Sequence, residues 1–311
     1  MQTTSKTILI ATILLALGCS PDVQTHDLPR EQISSTRNVV TLATLPNGTF
    51  LENIAPFKQS QFLVTSYFDR KILRIDEQGQ VSTFTVLEDY PVGIIVADER
   101  VYVSVHGSPF TSGPKTIQRN AITMLSFDGD VLQKQVSAAA RFLNGLSSLP
   151  DGTILTADSL AGCLWSVDKE TGELSLYASD PALKPHPSDT TFVPGANGIK
   201  VYGNTLFVSN SSRGEIIKRP LDSTVPFTRH ALTGPIDDFV IDTEGVIYAT
   251  SHGDRLHRIS STGHVTAHID TGCNGCTAVA FSTDRRRLIV INQGNMFSDA
   301  AIAAQVLSIS L

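Results

Sequence analysis

Hydrophobic and polar residues alternate in short runs along most of this chain. Beyond residue 38 these runs end at glycine, aspartate or asparagine, and almost no segment has the 3.6-residue period of a helix. One strand type recurs six times, and a second apolar strand follows each copy, so the pattern predicts an all-β protein built from repeats. The recurring strands are FLVTSY from Phe62, VYVSVH from Val101, ILTADS from Ile154, LFVSNS from Leu206, IYATSH from Ile247 and LIVINQ from Leu288.

A third element lies upstream of each recurring strand, typified by NGLSSLPDG, NGIKVYGN and DDFVIDTEG. When these elements are aligned, one residue of each unit falls in a common register at intervals of 39, 53, 53, 40 and 39 residues. Six units of this size, with three to four strands each, predict a six-bladed β-propeller. The register residues are Glu52, Pro91, Asn144, Asn197, Asp237 and Cys276.

Two further features refine the predicted propeller. The segment NVVTLATL, which starts at Asn38, has strand character and is predicted to pair with the last blade and close the ring. The two long intervals leave room for excursions at Gly107 to Asn120 and at Ala178 to Pro194. Such insertions tend to lie on one face of a propeller, and that face is often the binding face.

Composition excludes several classes of protein. The chain has 311 residues, of which 41% are hydrophobic and 17% charged, and this excludes a disordered polymer. The formal net charge is −6, and the basic cluster that stands out is Arg285-Arg286-Arg287. Nucleic acids favour a basic face, so we expect no nucleic-acid partner.

Residues 1–19 are predicted to be an export signal. Lys6 precedes a ten-residue apolar run, Ile8 to Leu17, which is too short to span a bilayer. The run ends in LALGC, which resembles a bacterial lipobox and would make Cys19 a lipidation site; an ordinary secretory signal is the alternative. Residues 20–37 are then a polar tether and residues 38–311 a single propeller domain. We expect a periplasmic or membrane-anchored lipoprotein if the source is bacterial and a secreted protein otherwise, with membrane contact only through the lipid anchor.

The remaining cysteines are interpreted separately. Cys163 lies in the apolar run CLWSV and is predicted to be buried. Cys273 and Cys276 form a CNGC loop, for which a local disulfide is the preferred interpretation in an exported protein. Two free thiols, a redox pair and half of a metal site are the alternatives, and zinc is disfavoured because no second ligand pair is evident.

The register residues carry the candidate chemistry. In a propeller the innermost strand of every blade lines a central channel, so residues that share the register converge on one axial site. Glu52, Asn144, Asn197 and Asp237 supply carboxylate and amide oxygens, which hard cations such as Ca²⁺ prefer. Turn formation also favours Asn and Asp before strands, but it accounts poorly for Glu52 and for the shared register. We therefore predict a divalent cation, with Ca²⁺ the first candidate.

This pattern resembles the gluconolactonase, regucalcin and senescence-marker-protein family of six-bladed propellers over residues 45 to 311. The resemblance implies an axial divalent cation held by Glu52 in LENIA, Asn144 in FLNGL, Asn197 in GANGI and Asp237 in GPIDDF. Two departures indicate a distant branch. Asn53-Ile54 replaces the usual Gly-Pro after the glutamate, and Asp238 replaces the glycine that usually follows the aspartate.

The resemblance further implies a calcium-dependent hydrolase of the lactonase type, acting on a small-molecule lactone or related ester. Asp237 would bind the metal and accept a proton from water, and Asp238 is the rival base, although strand alternation would turn it away from the channel. Substrate contacts are predicted at the polar ends of the recurring strands and near Asn144, although each of these residues is often structural. They are Tyr67, His106, Arg141, Asp158, Asn210, His252 and Asn292.

Two other functions remain open at this stage. The same fold serves non-enzymatic ligand- or protein-binding modules, because fold does not determine function. Propellers of similar sequence also act as biosynthetic cyclases or strictosidine-synthase-like enzymes, which need no metal. Metal dependence therefore separates the lactonase from the cyclase.

Overall fold

The computed structural model describes residues 38–112, 117, 119–188, 193–294 and 303–311. These residues form six four-stranded antiparallel sheets, which are the six blades of a β-propeller. The predicted fold class is therefore confirmed. The first strand, β1 Val39–Thr44, pairs with the last strand, Gln305–Ser310, from Val39 opposite Ile309 to Thr44 opposite Gln305. This pairing closes the ring and confirms the predicted role of the N-terminal strand.

The first three blades follow one another along the chain, and each runs from its inner to its outer strand. Their tight turns have a local cause: Asp76 Oδ1 accepts the backbone N–H groups of Gln78 and Gln80, and Gly79 adopts φ +82°. The strands of these blades are β2 Leu51–Phe57, β3 Gln61–Ser66, β4 Lys71–Asp76 and β5 Val81–Val86; β6 Tyr90–Ala97, β7 Arg100–His106, β8 Ala121–Leu125 and β9 Val131–Val136; β10 Leu143–Ser148, β11 Ile154–Asp158, β12 Cys163–Val167 and β13 Leu174–Ser179.

The last three blades repeat this arrangement, except that β1 supplies the outer strand of the sixth blade. Single 3-10 turns occur at Phe110–Ser112 and Pro181–Leu183, each within one of the two predicted insertions. The strands are β14 Ala196–Tyr202, β15 Thr205–Asn210, β16 Glu215–Pro220 and β17 Thr228–Leu232; β18 Ile236–Ile241, β19 Ile247–Ser251, β20 Arg255–Ile259 and β21 Val265–Asp270; β22 Cys276–Phe281, β23 Arg287–Asn292 and β24 Gln305–Ser310.

The hydrophobic core lies largely between the blades, where the faces of adjacent sheets meet. One buried cluster joins the first and last blades and includes Leu51, Val64 and Ile291. Near the axis the inner strands approach so closely that a Cβ atom on Gly145 would lie 2.6 Å from the backbone oxygen of Asn197. Glycine at this position is therefore required by backbone contact between the third and fourth blades.

Hydroxyl groups on the second strands link neighbouring blades around the axis. Ser104 Oγ accepts the N–H of Gly93 in its own blade and donates to the carbonyl oxygen of Asn144 in the next. Ser209 likewise donates to the carbonyl oxygen of Asp237. Because the residue whose carbonyl accepts this bond starts the inner strand of the next blade, the pattern defines an axial ring. Glu52 and Asn197 hold the matching positions, each directly after the first paired residue of its inner strand.

The same bonds correct two members of the predicted register. Thr65 Oγ1 donates to the carbonyl oxygen of Val92, and Thr250 Oγ1 donates to that of Thr277. The axial ring therefore contains Val92 and Thr277 rather than Pro91 and Cys276, each one residue further on. The physical reason is that the inner strands carry register shifts close to the ring, which the alternation of hydrophobic residues does not reveal.

The predicted export signal, Cys19 and the polar tether lie outside the described residues. Within the described part of the chain, no helix is long and apolar enough to cross a membrane.

Candidate active site in the axial channel

The axial ring brings acidic and amide side chains together at the starts of the inner strands. Asn197 Nδ2 donates to Asp237 Oδ1 at 2.6 Å across the interface between the fourth and fifth blades. The charges of Asp237 and Asp238 reach Glu52 on the first blade and help to raise the pKa of its carboxyl. Residues separated by up to 186 positions in sequence therefore share one electrostatic environment.

Two serines orient the two ring asparagines. Asn144 Nδ2 donates to Ser159 Oγ at 3.3 Å, and Asn197 Nδ2 donates to Ser211 Oγ at 3.0 Å. Ser159 Oγ in turn donates to the carbonyl oxygen of Ala196. Because these bonds occupy the amide nitrogens, the amide oxygens remain for a further ligand. Sequence reasoning missed both serines, although each directly follows a strand-end residue that it had selected.

Of the two ring carboxylates, Asp237 is buried and Glu52 is half-buried, and both are electrostatically unfavourable in the protein alone. Burial raises the pKa of Asp237 to about 6, partly opposed by His252 and by the hydrogen bond from Asn197. Burial, together with the charges of Asp237 and Asp238, raises the pKa of Glu52 well above its usual range. Both shifts express the cost of holding negative charge where little water compensates it, and a bound cation would remove that cost.

Asp238 has a different partner from Asp237. Its Oδ1 lies 2.6 Å from Lys200 Nζ, and its backbone N–H donates to Thr250 Oγ1. The carboxylate lies against Gly198, where a Cβ atom would overlap it. The ion pair with Lys200 thus partly compensates the charge of Asp238, which this chain carries in addition to the ring carboxylates.

His252 is the predicted substrate contact that lies beside the ring. Its Nδ1 is 3.7 Å from Asp237 Oδ2, and its side chain is 38% exposed. Asp237 is therefore approached on one oxygen by Asn197 and on the other by His252. The imidazole thus lies beside Asp237 Oδ2, beyond direct hydrogen-bond distance.

Two other predicted contacts have mainly structural partners. Asp158 accepts backbone N–H groups from four residues and the indole N–H of Trp165. Asn210 donates to the carbonyl oxygens of Ala182 and Lys184 and accepts from Arg213. These bonds fix the loops that follow the second strands.

The remaining predicted contacts differ in exposure. Asn292 Oδ1 accepts the backbone N–H groups of Gly294 and Gln305. Arg141 has an exposed side chain, and its backbone N–H donates to Asp158. His106 is fully buried, with Nε2 2.8 Å from the carbonyl oxygen of Leu143, and burial lowers its pKa to about 4. Neutral His106 therefore donates from Nε2, and its Nδ1 accepts from the hydroxyl of Tyr67 at 3.2 Å.

Cys273 and Cys276 are joined by a disulfide bond. The loop they close packs beside the segment that carries His252, since the N–H of Cys276 donates to the carbonyl oxygen of Gly253. Cys163 is a free, buried thiol whose pKa burial raises to about 12.

An aromatic cluster adjoins the ring on the first two blades, and sequence reasoning did not identify it. Tyr67 is at its centre. The centroid of its aromatic side chain lies 4.9 Å from that of Phe68, 5.3 Å from that of Tyr90 and 4.9 Å from that of Phe110. Val92, the axial-ring residue of the second blade, belongs to the same buried cluster. We call this feature the aromatic wall, and it consists of Phe50, Tyr67, Phe68, Tyr90 and Phe110.

The fold and the ring together define a β-propeller with an oxygen-rich axial site. The chain belongs to the SMP-30/gluconolactonase/LRE-like family, whose conserved region matches residues 70–293. It is also similar to a candidate hetero-Diels-Alderase from Phoma sp., with 26% identity over 306 residues that cover 81% of this chain and 85% of that protein.

Solved structures support the same fold. A gluconolactonase from Xanthomonas campestris superimposes with a TM-score of 0.66 and 19% identity, covering 88% of this chain and 90% of that one. A luciferin-regenerating enzyme superimposes with a TM-score of 0.68 and 16% identity, covering 88% of this chain and 95% of that one. The calcium-binding protein regucalcin from Agrobacterium tumefaciens superimposes with a TM-score of 0.61 and 14% identity, covering 87% of this chain and 97% of that one. These low identities agree with a distant branch of the family.

Proposed function

We propose that this protein is a calcium-dependent hydrolase that opens a lactone or related ester in the axial channel. The observation that carries the proposal is the pair of carboxylates with raised pKa values, half-buried Glu52 and buried Asp237, placed in one ring with two amides whose nitrogens are already bonded. A regucalcin and a gluconolactonase among the structural relatives support the same cation and reaction class.

The donor set fits a hard divalent cation. Glu52 and Asp237 would supply carboxylate oxygens, and Asn144 and Asn197 would supply amide oxygens, as calcium sites commonly use. Among the described residues, no group of three or more histidine, cysteine, aspartate and glutamate side chains is arranged to hold a metal ion. A donor set of two carboxylates and two amides favours calcium over zinc.

The bound cation would supply Lewis-acid polarisation of the carbonyl group. Asp237, ionised above its pKa of about 6, would take a proton on Oδ2 from the water that attacks the carbonyl carbon. The ester C–O bond of the lactone then breaks, and the departing oxygen receives a proton from Asp237 or from the adjacent His252. One lactone and one water thus give one hydroxy acid, with no other reactant.

Hydrolysis of δ-valerolactone, followed by acid release in a pH-stat, tests this function. We expect turnover in calcium, loss in excess EDTA and recovery when calcium is restored. Glu52→Gln should lower kcat/KM by at least 100-fold, whereas Glu244→Gln on an exposed turn should not change it. Activity that is equal in calcium and in EDTA would refute the proposed function.

A second candidate is a metal-independent cyclase. The Phoma relative and the aromatic wall favour it, because a cyclisation catalyst must fold an apolar substrate. A cyclase adds no water to its product. An exported binding module without activity is the remaining alternative, and it would respond to calcium in stability but not in turnover.

We also propose that the protein is exported, because Lys6 and the apolar run from Ile8 to Leu17 have the form of a signal segment. Intact mass of the mature protein, compared with the full sequence, tests removal of this segment and lipidation of Cys19.

A further inference from the structure

We infer that the axial site selects a ring-bearing, largely apolar substrate, with the aromatic wall binding its apolar ring. This inference rests on the proposed function, since it assumes that the carbonyl group of the substrate lies at the ring carboxylates. It goes further by assigning opposite roles to two sectors of the site.

The aromatic wall adjoins the axial ring. Val92, the axial-ring residue of the second blade, packs with Phe50 and Tyr67 in one buried cluster. Val92 follows Glu52 and precedes Asn144 in the order of the blades around the axis. The wall therefore begins at the axial ring. Burial is the main cause of the raised pKa of Tyr67, and the charge of Glu52 adds to it. A ligand that reaches the axial ring beside Val92 therefore also meets the wall.

Part of the aromatic wall is accessible to a ligand. Phe50 and Tyr67 are buried, whereas Phe68, Tyr90 and Phe110 retain accessible surface. The rings of Phe68 and Phe110 lie 5.5 Å apart between centroids, and both contact Tyr67. Edge-to-face and tilted contacts of this kind hold the rings in fixed orientations and suit the binding of another flat ring.

The hydroxyl group at the centre of the aromatic wall, that of Tyr67, already makes two hydrogen bonds. The Tyr67 hydroxyl donates to His106 Nδ1 and accepts the backbone N–H of Phe110 at 3.0 Å. His106 is fixed in turn by the carbonyl oxygen of Leu143. The Tyr67 phenol therefore has little capacity to bind the hydroxyl groups of a sugar.

The opposite sector is polar. Asp237, Asn197, Ser211 and His252 belong to the fourth and fifth blades and carry the hydrogen-bonding groups of the site. A substrate with a polar carbonyl end and an apolar ring matches this division. A polyhydroxylated lactone would place hydroxyl groups against phenyl rings and lose their hydrogen bonds to water.

Two non-hydrolysable lactams test the inference without catalysis. 3,4-Dihydro-2-quinolinone and 2-piperidinone share one six-membered lactam ring, and only the first carries a fused benzene ring. With calcium-loaded, full-length protein, calorimetry should give a Kd at least tenfold lower for the quinolinone. Phe68→Ala should reduce that ratio to below threefold, and Phe68→Leu, which keeps an apolar side chain, should retain part of it.

Tyr202→Ala is the matched control, because Tyr202 is an exposed aromatic residue at the far end of the inner strand that begins with Ala196 and Asn197. It should leave the ratio unchanged. Equal affinities for the two lactams, an unchanged ratio in Phe68→Ala, or no binding of either lactam would overturn the inference.

The inference and the proposed function fail in different ways. A preference for the quinolinone without any calcium-dependent lactone hydrolysis would refute the function and support the aromatic wall as a binding surface. Calcium-dependent hydrolysis without a preference for the benzo-fused ring would support the function and refute the inference.

Discussion

Asn197 Nδ2 lies 2.6 Å from Asp237 Oδ1, although the two residues start the inner strands of different blades. The bond crosses a blade interface at the axis, so the register between two separate sheets determines the orientation of the candidate base. The remaining oxygen of Asp237 faces His252 at 3.7 Å. This arrangement accounts for the chemistry proposed at Asp237 and makes that residue the most informative one to change.

Asp237→Asn should separate stability from metal binding. The amide removes a buried negative charge, so in EDTA at pH 8 we expect a melting temperature equal to or above that of the wild type. Calcium at 100 times its Kd should stabilise the wild type by about 2.7 kcal/mol and the variant by much less. Thermal unfolding with and without calcium measures both effects. Asp270→Asn, on an exposed strand, should behave as the wild type, and a full calcium response in Asp237→Asn would contradict the site.

Calcium affinity should increase with pH. The pKa values of Glu52 and Asp237 are raised, the latter to about 6, so below that pH protons compete with the cation for the same oxygens. We expect the association constant to rise by up to about tenfold per pH unit for each proton displaced, and to level off above the two pKa values. Calorimetry in buffers of different ionisation enthalpy counts the protons released. An affinity that is constant from pH 5.5 to 8 would contradict this assignment.

The repeats in the sequence were sufficient to predict the blades, because each recurring strand has its own hydrophobic signature. They were not sufficient to place every ring residue. In the sixth blade Cys276 pairs with Asn292 and Ala278 with Ile291, so Thr277 alone stands at the shift and enters the ring. Such a shift changes which residue reaches the axis without changing the apolar pattern of the strand.

Partners from neighbouring blades were also beyond the sequence pattern. Lys200 and Asp238 pair across 38 residues, and nothing in either strand alone indicates the other. Polar strand ends were predicted as substrate contacts, yet Asp158 is saturated by backbone N–H groups. A polar residue that ends a strand often accepts or donates hydrogen bonds to the backbone of the following turn. In the sequence, such a residue cannot be distinguished from one that binds a ligand.

Lys200→Met should destabilise the fold by about 3 kcal/mol, because it leaves the buried Asp238 carboxylate without its cation. The double variant Lys200→Met/Asp238→Asn should lose less than the sum of the two single variants, since the uncompensated charge is then absent. Denaturant unfolding of the four proteins measures the coupling. Lys169→Met breaks an exposed pair with Asp98 and should cost less than 1 kcal/mol. Additive effects at Lys200 and Asp238 would show that the pair has no energetic role.

His106 should make the protein less stable in acid. Burial lowers its pKa to about 4 in the folded chain, whereas the unfolded chain has the ordinary value of about 6.5. Between these values the unfolded state binds more protons, so the contribution of His106 to stability is complete above pH 6.5 and decreases as the pH falls towards 4. The full difference corresponds to roughly 3 kcal/mol. Glu52 and Asp237 titrate in the opposite sense, so the effect of His106 must be isolated by comparison with a variant.

His106→Gln provides that comparison, because the amide can donate to Leu143 and accept from Tyr67 as the neutral imidazole does. The unfolding free energy of the wild type minus that of the variant should increase by roughly 3 kcal/mol from pH 4 to pH 7. Guanidinium unfolding at several pH values measures the difference, with His264→Gln as the exposed control. A difference that does not change with pH would mean that His106 is not held neutral by burial. The Tyr67 hydroxyl would then no longer be committed to His106 by the tautomer, and the aromatic wall would have a polar atom to offer a substrate.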